Sequence, residues 1–173
     1  MAFWNKEFVS LFTPTDVRNT FVDLYKVGNG NQYYARASSK FTFDFSSDIP
    51  IIRFPEMLLI EIEAKARLGN ESEASGLLLS LQKNRDPNAS ASGNSGNALI
   101  EEILVERRKE LYGEMGVEWF DAKRLRRGIT RTGNHRVGSS ASLLPDDKKF
   151  FLKIPQKEID TNSFIDESIN SNR

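Results

Sequence analysis

The clearest periodic signal lies in the middle third of the chain. Met57, Leu58, Ile60, Ile62, Ala64, Ala66 and Leu68 follow Pro55, whose fixed φ suits a first helical turn, and Gly69 stands where that helix would close. Asn70, with Glu73 three residues on, offers a cap for a second helix carrying Ala74, Leu77, Leu78 and Leu81, which Asp86-Pro87 stops. So short a connection makes the two helices antiparallel, a helical hairpin. A third helix is expected over residues 98–112, with Leu99, Ile103, Val105 or Glu106, and Leu111 on its apolar face. A fourth is expected over 117–127, closed by Gly128. Its last turn holds Lys123, Arg124, Arg126 and Arg127, where the helix dipole favours cations.

Outside these helices regular structure is weak. Residues 1–48 form an irregular, aromatic-rich lead-in broken by Pro14 and Gly28-Asn29-Gly30. Within it Phe41, Phe43 and Phe45 alternate with polar residues, which predicts one short strand. The stretch 88–97 is Asn, Ala, Ser and Gly only and reads as a flexible surface loop. Residues 130–142 read as a second polar loop, Phe150 to Pro155 as an apolar docking segment, and 162–173 as a fraying tail. Helical hairpins over 53–128, repeating at about 45 residues, fit a solenoid, since each leaves an apolar face that a neighbour must cover. Two hairpins are too few to stand alone. They are expected to lean on further sequence or on the aromatic lead-in.

Composition narrows the functional classes. At 173 residues one domain, 1–173, is expected, with 129–173 as its loop and docking tail. Lys and Arg balance Asp and Glu at 24 each, which argues against a nucleic-acid or anionic-membrane partner. The absence of cysteine excludes thiolate zinc sites and cysteine nucleophiles. No apolar run is long enough for a spanning helix, and the first residues do not read as a secretory signal.

Few residue sets point to chemistry. Glu106 and Glu110 stand one helical turn apart among Arg107, Arg108 and Lys109, a pattern that ion pairing explains more simply than paired-carboxylate catalysis. Arg107 falls near the apolar stripe and is expected to pair with Glu56 or Asp121; Arg53 and Arg108 complete the expected structural network. Tyr33 and Tyr34, after a Gly/Asn turn, and Trp119 are the candidate ligand contacts, each weighed against simple core packing. Trp119 and Phe120 point in different directions on a helix, so at most one can face a ligand. His135 lacks partners at metal-ligand spacing, and Ser139 to Ser142 lack the context of a nucleophile elbow. No catalytic residue, metal site or cofactor is expected, and the chain reads as a non-enzyme.

Three stretches together resemble the C-terminal region of the SusD/RagB family. They are Arg53-Phe54-Pro55-Glu56-Met57-Leu58-Leu59 running into Glu63-Ala64; Glu106 to Glu114 followed by Trp119-Phe120-Asp121-Ala122-Lys123-Arg124; and Ile154-Pro155-Gln156-Lys157-Glu158-Ile159. Asp16-Val17-Arg18 is similar to the family's D-x-R upstream. Met115 and Glu118 depart from the pattern, and the usual closing motif is replaced by Ile165 to Asn170.

The resemblance implies a mainly helical fold of tetratricopeptide-like hairpins, of right-handed solenoid type, with long irregular loops and little strand. It also implies nutrient binding, with an oligosaccharide as the expected ligand, at the outer face of the bacterial outer membrane. The implied partner is a SusC-like TonB-dependent transporter, and the implied anchor is a lipid on a cysteine that this chain lacks. This chain would then be the mostly scaffolding C-terminal part of a longer lipoprotein. The competing expectation is a helical protein-interaction scaffold without a small-molecule ligand.

Overall fold

The structure, a computed structural model, describes residues 4, 6–26, 34–41, 48, 50–131 and 142–171; along 23–26 and 34–37 it describes the backbone alone. The described elements are α1 (Lys6–Val9), β1 (Phe21–Lys26), β2 (Tyr34–Ser38), α2 (Phe54–Arg67), α3 (Glu71–Lys83), α4 (Gly96–Leu111), α5 (Val117–Arg124) and α6 (Gln156–Thr161). The fold is mainly helical. Its strands form one antiparallel pair with Phe21 opposite Ser38 and an irregularity between Asp23 and Tyr25. Phe41 lies in a bend, and Phe43 and Phe45 of the expected strand fall outside the described residues. The chain divides into two compact units, Met1–Glu118 and Trp119–Arg173. That boundary lies inside α5, where no Gly- or Pro-rich stretch marks it in the sequence.

In the first unit α2 and α3 form the expected hairpin, and α4 packs against α2. Leu59, Ile62, Leu78, Leu99 and Ile103 are fully buried at their meeting, each stabilising the fold by roughly 1.5–3 kcal/mol. Gly69, at φ +86°, closes α2, and the chain reverses at once as the amide of Asn70 donates to the Lys65 carbonyl. Asn70 precedes α3, but its side chain makes no capping bond. Glu73, the other half of the expected box, is drawn to Lys65 instead, at 2.6 Å.

A second cluster joins the lead-in to the end of α4. Phe8, Phe12 and Tyr112 are buried together, with Trp4, Leu11 and Phe21 against them. The aromatic residues of the lead-in thus supply a core of their own. Residues 88–97 are held more firmly than their composition predicts. Ser92 and Asn94 both donate to the Glu102 carboxylate, and the Gly96 amide donates to Glu71 at 2.8 Å. Small polar residues forgo apolar anchoring, but their side chains can still bond a nearby helix.

In the second unit Trp119 packs on the buried Phe150, ring centroids 4.8 Å apart. The helix expected to reach Arg127 ends at Arg124, because Arg126 turns into the left-handed region at φ +50° and pairs with Asp146 at 2.8 Å. The expected docking segment is divided: Phe150 is buried, whereas Phe151 and Leu152 are exposed. The tail is tied back rather than frayed as far as Asn170, whose side chain accepts from the Ile154 amide and donates to the Ile154 carbonyl.

Gly128 is constrained by a close approach. A Cβ there would stand 2.3 Å from the Leu143 carbonyl oxygen, which accepts from the Ile129 amide in a two-way bridge. Backbone held by such a bridge cannot yield as a flexible side chain would. Gly128→Ala is expected to destabilise the second unit by about 2 kcal/mol, of the order seen for overpacking. Thermal unfolding followed by Trp119 fluorescence in a Trp4→Phe background reads that unit; an unshifted midpoint contradicts the prediction.

Candidate functional site

The densest polar feature of the first unit is a buried network centred on α4. The helix places Glu106 and Glu110 one turn apart on one face, and the turn after it adds Glu114. All three carboxylates are buried, Glu110 to 3% exposure. Three arginines from three other segments meet on Glu110: Arg18 at 2.9 Å, Arg53 at 3.0 Å and Arg85 at 2.9 Å. Arg53, just before α2, also grips Glu114 at 2.6 Å. Arg85 follows α3, and its carbonyl accepts from the Val17 amide, which brings Arg18 alongside. Arg18 then bonds Asp16 through two nitrogens and approaches Glu106 at 2.7 Å. Lys109 lies between Asp16 and Glu106, and Lys40 reaches Glu114 at 2.5 Å.

The network's cations favour the ionised forms of Glu110 and Asp16. Burial alone would raise the Glu110 carboxyl, but hydrogen bonding and charge from Arg85, with Arg18 and Arg53, bring it from 4.5 to about 2. Burial opposes and Arg18 outweighs it at Asp16, whose carboxyl is also lowered. The hydroxyls of Thr13 and Thr15 lower Asp86. Burial lowers the Lys40 ammonium against the pull of Glu114.

A carboxyl lowered in the folded state contributes stability that is fully present above its unfolded pKa and is lost as pH falls through the folded one. For Glu110 that window runs from about pH 4.5 down to about 2, and the loss is on the order of 3 kcal/mol at most. Urea titrations from pH 6 to 2 are expected to show this decline, with the Glu110→Gln variant, already weakened, showing a shallower one. Parallel pH profiles would contradict the assignment.

A cavity of about 280 Å³ opens beside the network, lined by Arg18, Lys40, Arg53, Arg85, Glu110 and Tyr112 among others. The charges on its wall are largely committed. The Lys40 ammonium donates to the Glu110 and Tyr112 carbonyls as well as to Glu114. Nor does Glu110 suit a glycosidase acid, since a carboxyl held near pKa 2 carries no proton at neutral pH. The arrangement ties five chain segments together.

Of the residues expected in a structural network, Arg53, Glu106 and Glu110 meet here. Arg107 stands 3.3 Å from Glu56, Arg108 pairs with Glu118 at 2.7 Å, and in the second unit Asp121 pairs with Arg124 at 2.7 Å. Lys109, expected to pair within α4, does meet Glu106, whereas sequence reasoning missed Lys40, Arg85 and Glu114 and gave Asp16 and Arg18 no role. Of the candidate ligand contacts, Tyr33 lies outside the described residues, as does the side chain of Tyr34, which stands in β2. Trp119 packs on Phe150, and its neighbour Phe120 is 62% exposed. His135 and Ser139 to Ala141 also lie outside the described residues. Among the described residues no cluster of acids and histidines could hold a metal, and no helix is long and apolar enough to cross a membrane.

Comparison with known proteins agrees with this architecture. No curated protein matches the chain. Among solved structures it is similar to the SusD-like carbohydrate binding protein of Bacteroides vulgatus ATCC 8482, with a TM-score of 0.72 and 25% identity. The match covers 97% of this chain and 40% of that one, so the chain spans about two fifths of the length of its solved relative. The family model for SusD matches residues 13–171, taking in Asp16-Val17-Arg18, the three cation-bearing segments and the closing Ile154-Pro155 element. The chain belongs to the SusD family.

Proposed function

We propose that this chain is the scaffolding part of a nutrient-binding protein of the bacterial outer membrane, one that captures an oligosaccharide for uptake through a SusC-like, TonB-dependent transporter. Family membership and the carbohydrate binding ascribed to the Bacteroides relative support the ligand class. The observation that carries the scaffolding role is the network around Glu110. Its charged groups bond to one another and brace α2, α3, α4 and the lead-in, so they hold a shape instead of presenting a site. Residues outside those described, Tyr33 among them, and the further length of a SusD-like protein are where ligand contacts would sit.

Isothermal calorimetry with a panel of oligosaccharides tests the reading. The longer SusD-like protein containing this region is expected to bind a panel member, and the 173-residue chain to give no heat. Binding by the isolated chain would move the site into these residues and overturn the scaffolding assignment. Silence from both would favour the second reading, a helical interaction scaffold without a small ligand, which the exposed apolar face of α2 independently favours.

A further inference from the structure

Lys and Arg balance Asp and Glu over the whole chain but not within its two units. Of the 24 cationic residues 11 lie in Trp119–Arg173, with only 7 of the 24 acids, so the side chains of this unit sum to +4 and those of Met1–Glu118 to −4. The excess is gathered further. Helix α5 and the residues just after it bring Lys123, Arg126 and Arg127 to a shallow depression whose wall includes Phe150 and Phe151. Lys148 and Lys149 stand immediately before those rings and Lys153 shortly after them, all three exposed.

Beside these cations the unit holds apolar side chains out in solvent. Phe150 is the anchor: it is buried against Trp119, and Asp147 fixes the turn before it by accepting from the Lys149 amide at 2.9 Å. The chain leaves that turn extended at Phe151, which is 49% exposed, and Leu152 beyond it is 85% exposed. The Lys123 ammonium lies 4.9 Å from the Phe151 ring, so charge and apolar surface meet at one place. Asp146 and Asp147 share the region, but the first is engaged by Arg126 at 2.8 Å and the second by the turn. Cations clustered around an apolar tip match a layer of anionic phosphate headgroups over hydrocarbon. A protein partner fits less well. Lysine, which is depleted in protein interfaces, supplies most of the cations. An extended two-residue tip also offers a partner chain little area to bury, whereas a bilayer receives shallow apolar insertion without a complementary shape.

We propose that Lys123, Lys148, Lys149 and Lys153, with Phe151 and Leu152, form a docking surface for the phosphate-bearing headgroups of an anionic lipid membrane. Its setting in the cell rests on the outer-membrane placement proposed above, but the surface does not depend on glycan capture. Loss of vesicle binding leaves the nutrient-binding reading standing, and loss of glycan binding leaves this one.

Co-sedimentation of the 173-residue chain with lipid vesicles tests the proposal. The chain is expected to partition onto phosphatidylcholine vesicles containing about one third phosphatidylglycerol about ten-fold more strongly than onto phosphatidylcholine alone, and to lose that preference at about 0.5 M salt. Lys148→Glu combined with Lys149→Glu is expected to weaken partition by about ten-fold, and Leu152→Ser by about five-fold. Lys6→Glu combined with Lys83→Glu makes the same change of charge at exposed positions of the first unit and is expected to leave partition within about two-fold. Because the chain has no cysteine, a single introduced one can carry an environment-sensitive fluorophore. The label at Leu152→Cys is expected to shift to the blue on anionic vesicles, and the label at Ser72→Cys, on the exposed surface of α3, to stay unchanged. Partition that is absent, or equal on the two kinds of vesicle, overturns the proposal, and absent partition turns the surface over to an acidic protein partner. An equal loss from the Lys6 and Lys83 pair overturns it as well.

Discussion

Glu110→Ala is expected to destabilise the chain by about 4 kcal/mol, the cost of breaking a buried ion pair from one side. The charge count shows why. Arg18, Lys40, Arg53, Arg85 and Lys109 face Asp16, Glu106, Glu110 and Glu114, so the network already has one cation in excess. Removing Glu110 leaves five cations against three acids, with three guanidiniums still directed at the vacated position. Their repulsion is only partly screened, because the site is shielded from solvent. A domain with 5–15 kcal/mol of stability in total would lose a large share of it. Glu110→Gln keeps the volume and some hydrogen bonding, and a loss nearly as large as that of the alanine variant would show that charge carries the effect. Urea unfolding at pH 7, followed by far-ultraviolet circular dichroism, measures both. A loss below about 1 kcal/mol, the level of a surface pair, would contradict the role given to the network.

How much of this was legible in the sequence depends on how far apart the partners stand. The helices were legible because 3.6-residue periodicity is local: the Gly69 stop, the start of α5 at Val117 and the burial of Leu99, Ile103 and Leu111 on α4 all follow from neighbours within a turn or two, and of the two alternatives Val105 and Glu106 it is Glu106 that is buried. The network was not. Spacing within α4 suggested that Glu110 would find its cations one turn away, whereas Arg18, Arg53 and Arg85 lie 92, 57 and 25 residues from it. Nothing in a single sequence joins those positions, and only the resemblance at Asp16-Val17-Arg18 and at Arg53 hinted that they matter. Misplaced ends have the same origin. Arg126 leaves the helical path as it pairs with Asp146, and Asn170 is secured by Ile154, each through a contact 16 to 20 residues away. The solvent side of α2 illustrates the converse: Met57, Ile60, Ala64 and Leu68 were counted as helix signal, but periodicity could not show that they would remain uncovered.

Tyr112→Ala is the second large loss expected, also about 4 kcal/mol, in the range for truncating a buried aromatic. Tyr112 is 1% exposed and stands just past α4, where the chain turns out of the helix at φ −58° and ψ 137°. Its ring meets Trp4 edge-on at 4.9 Å and Phe8 at 5.2 Å, and the Lys40 ammonium lies 4.2 Å from its face. Its hydroxyl shares a 2.6 Å hydrogen bond with Ser38 at the end of β2. Tyr112→Phe removes only that bond and should cost about 1 kcal/mol, which separates the ring's packing from its polar end. Trp4 emission should shift to the red in the alanine variant and hold steady in the phenylalanine one. The larger consequence is coupling. Lys40 packs over the ring while donating to the Tyr112 and Glu110 carbonyls and to Glu114, so it joins the aromatic cluster to the charge network. Loss of the ring loosens Lys40, which adds to the burden on the remaining carboxylates. The Tyr112→Ala and Glu110→Gln losses should therefore depart from additivity by more than about 0.5 kcal/mol, provided both single variants fold well enough to be measured in a stabilising osmolyte. Strict additivity would mean that the lead-in and the ion network brace α4 independently.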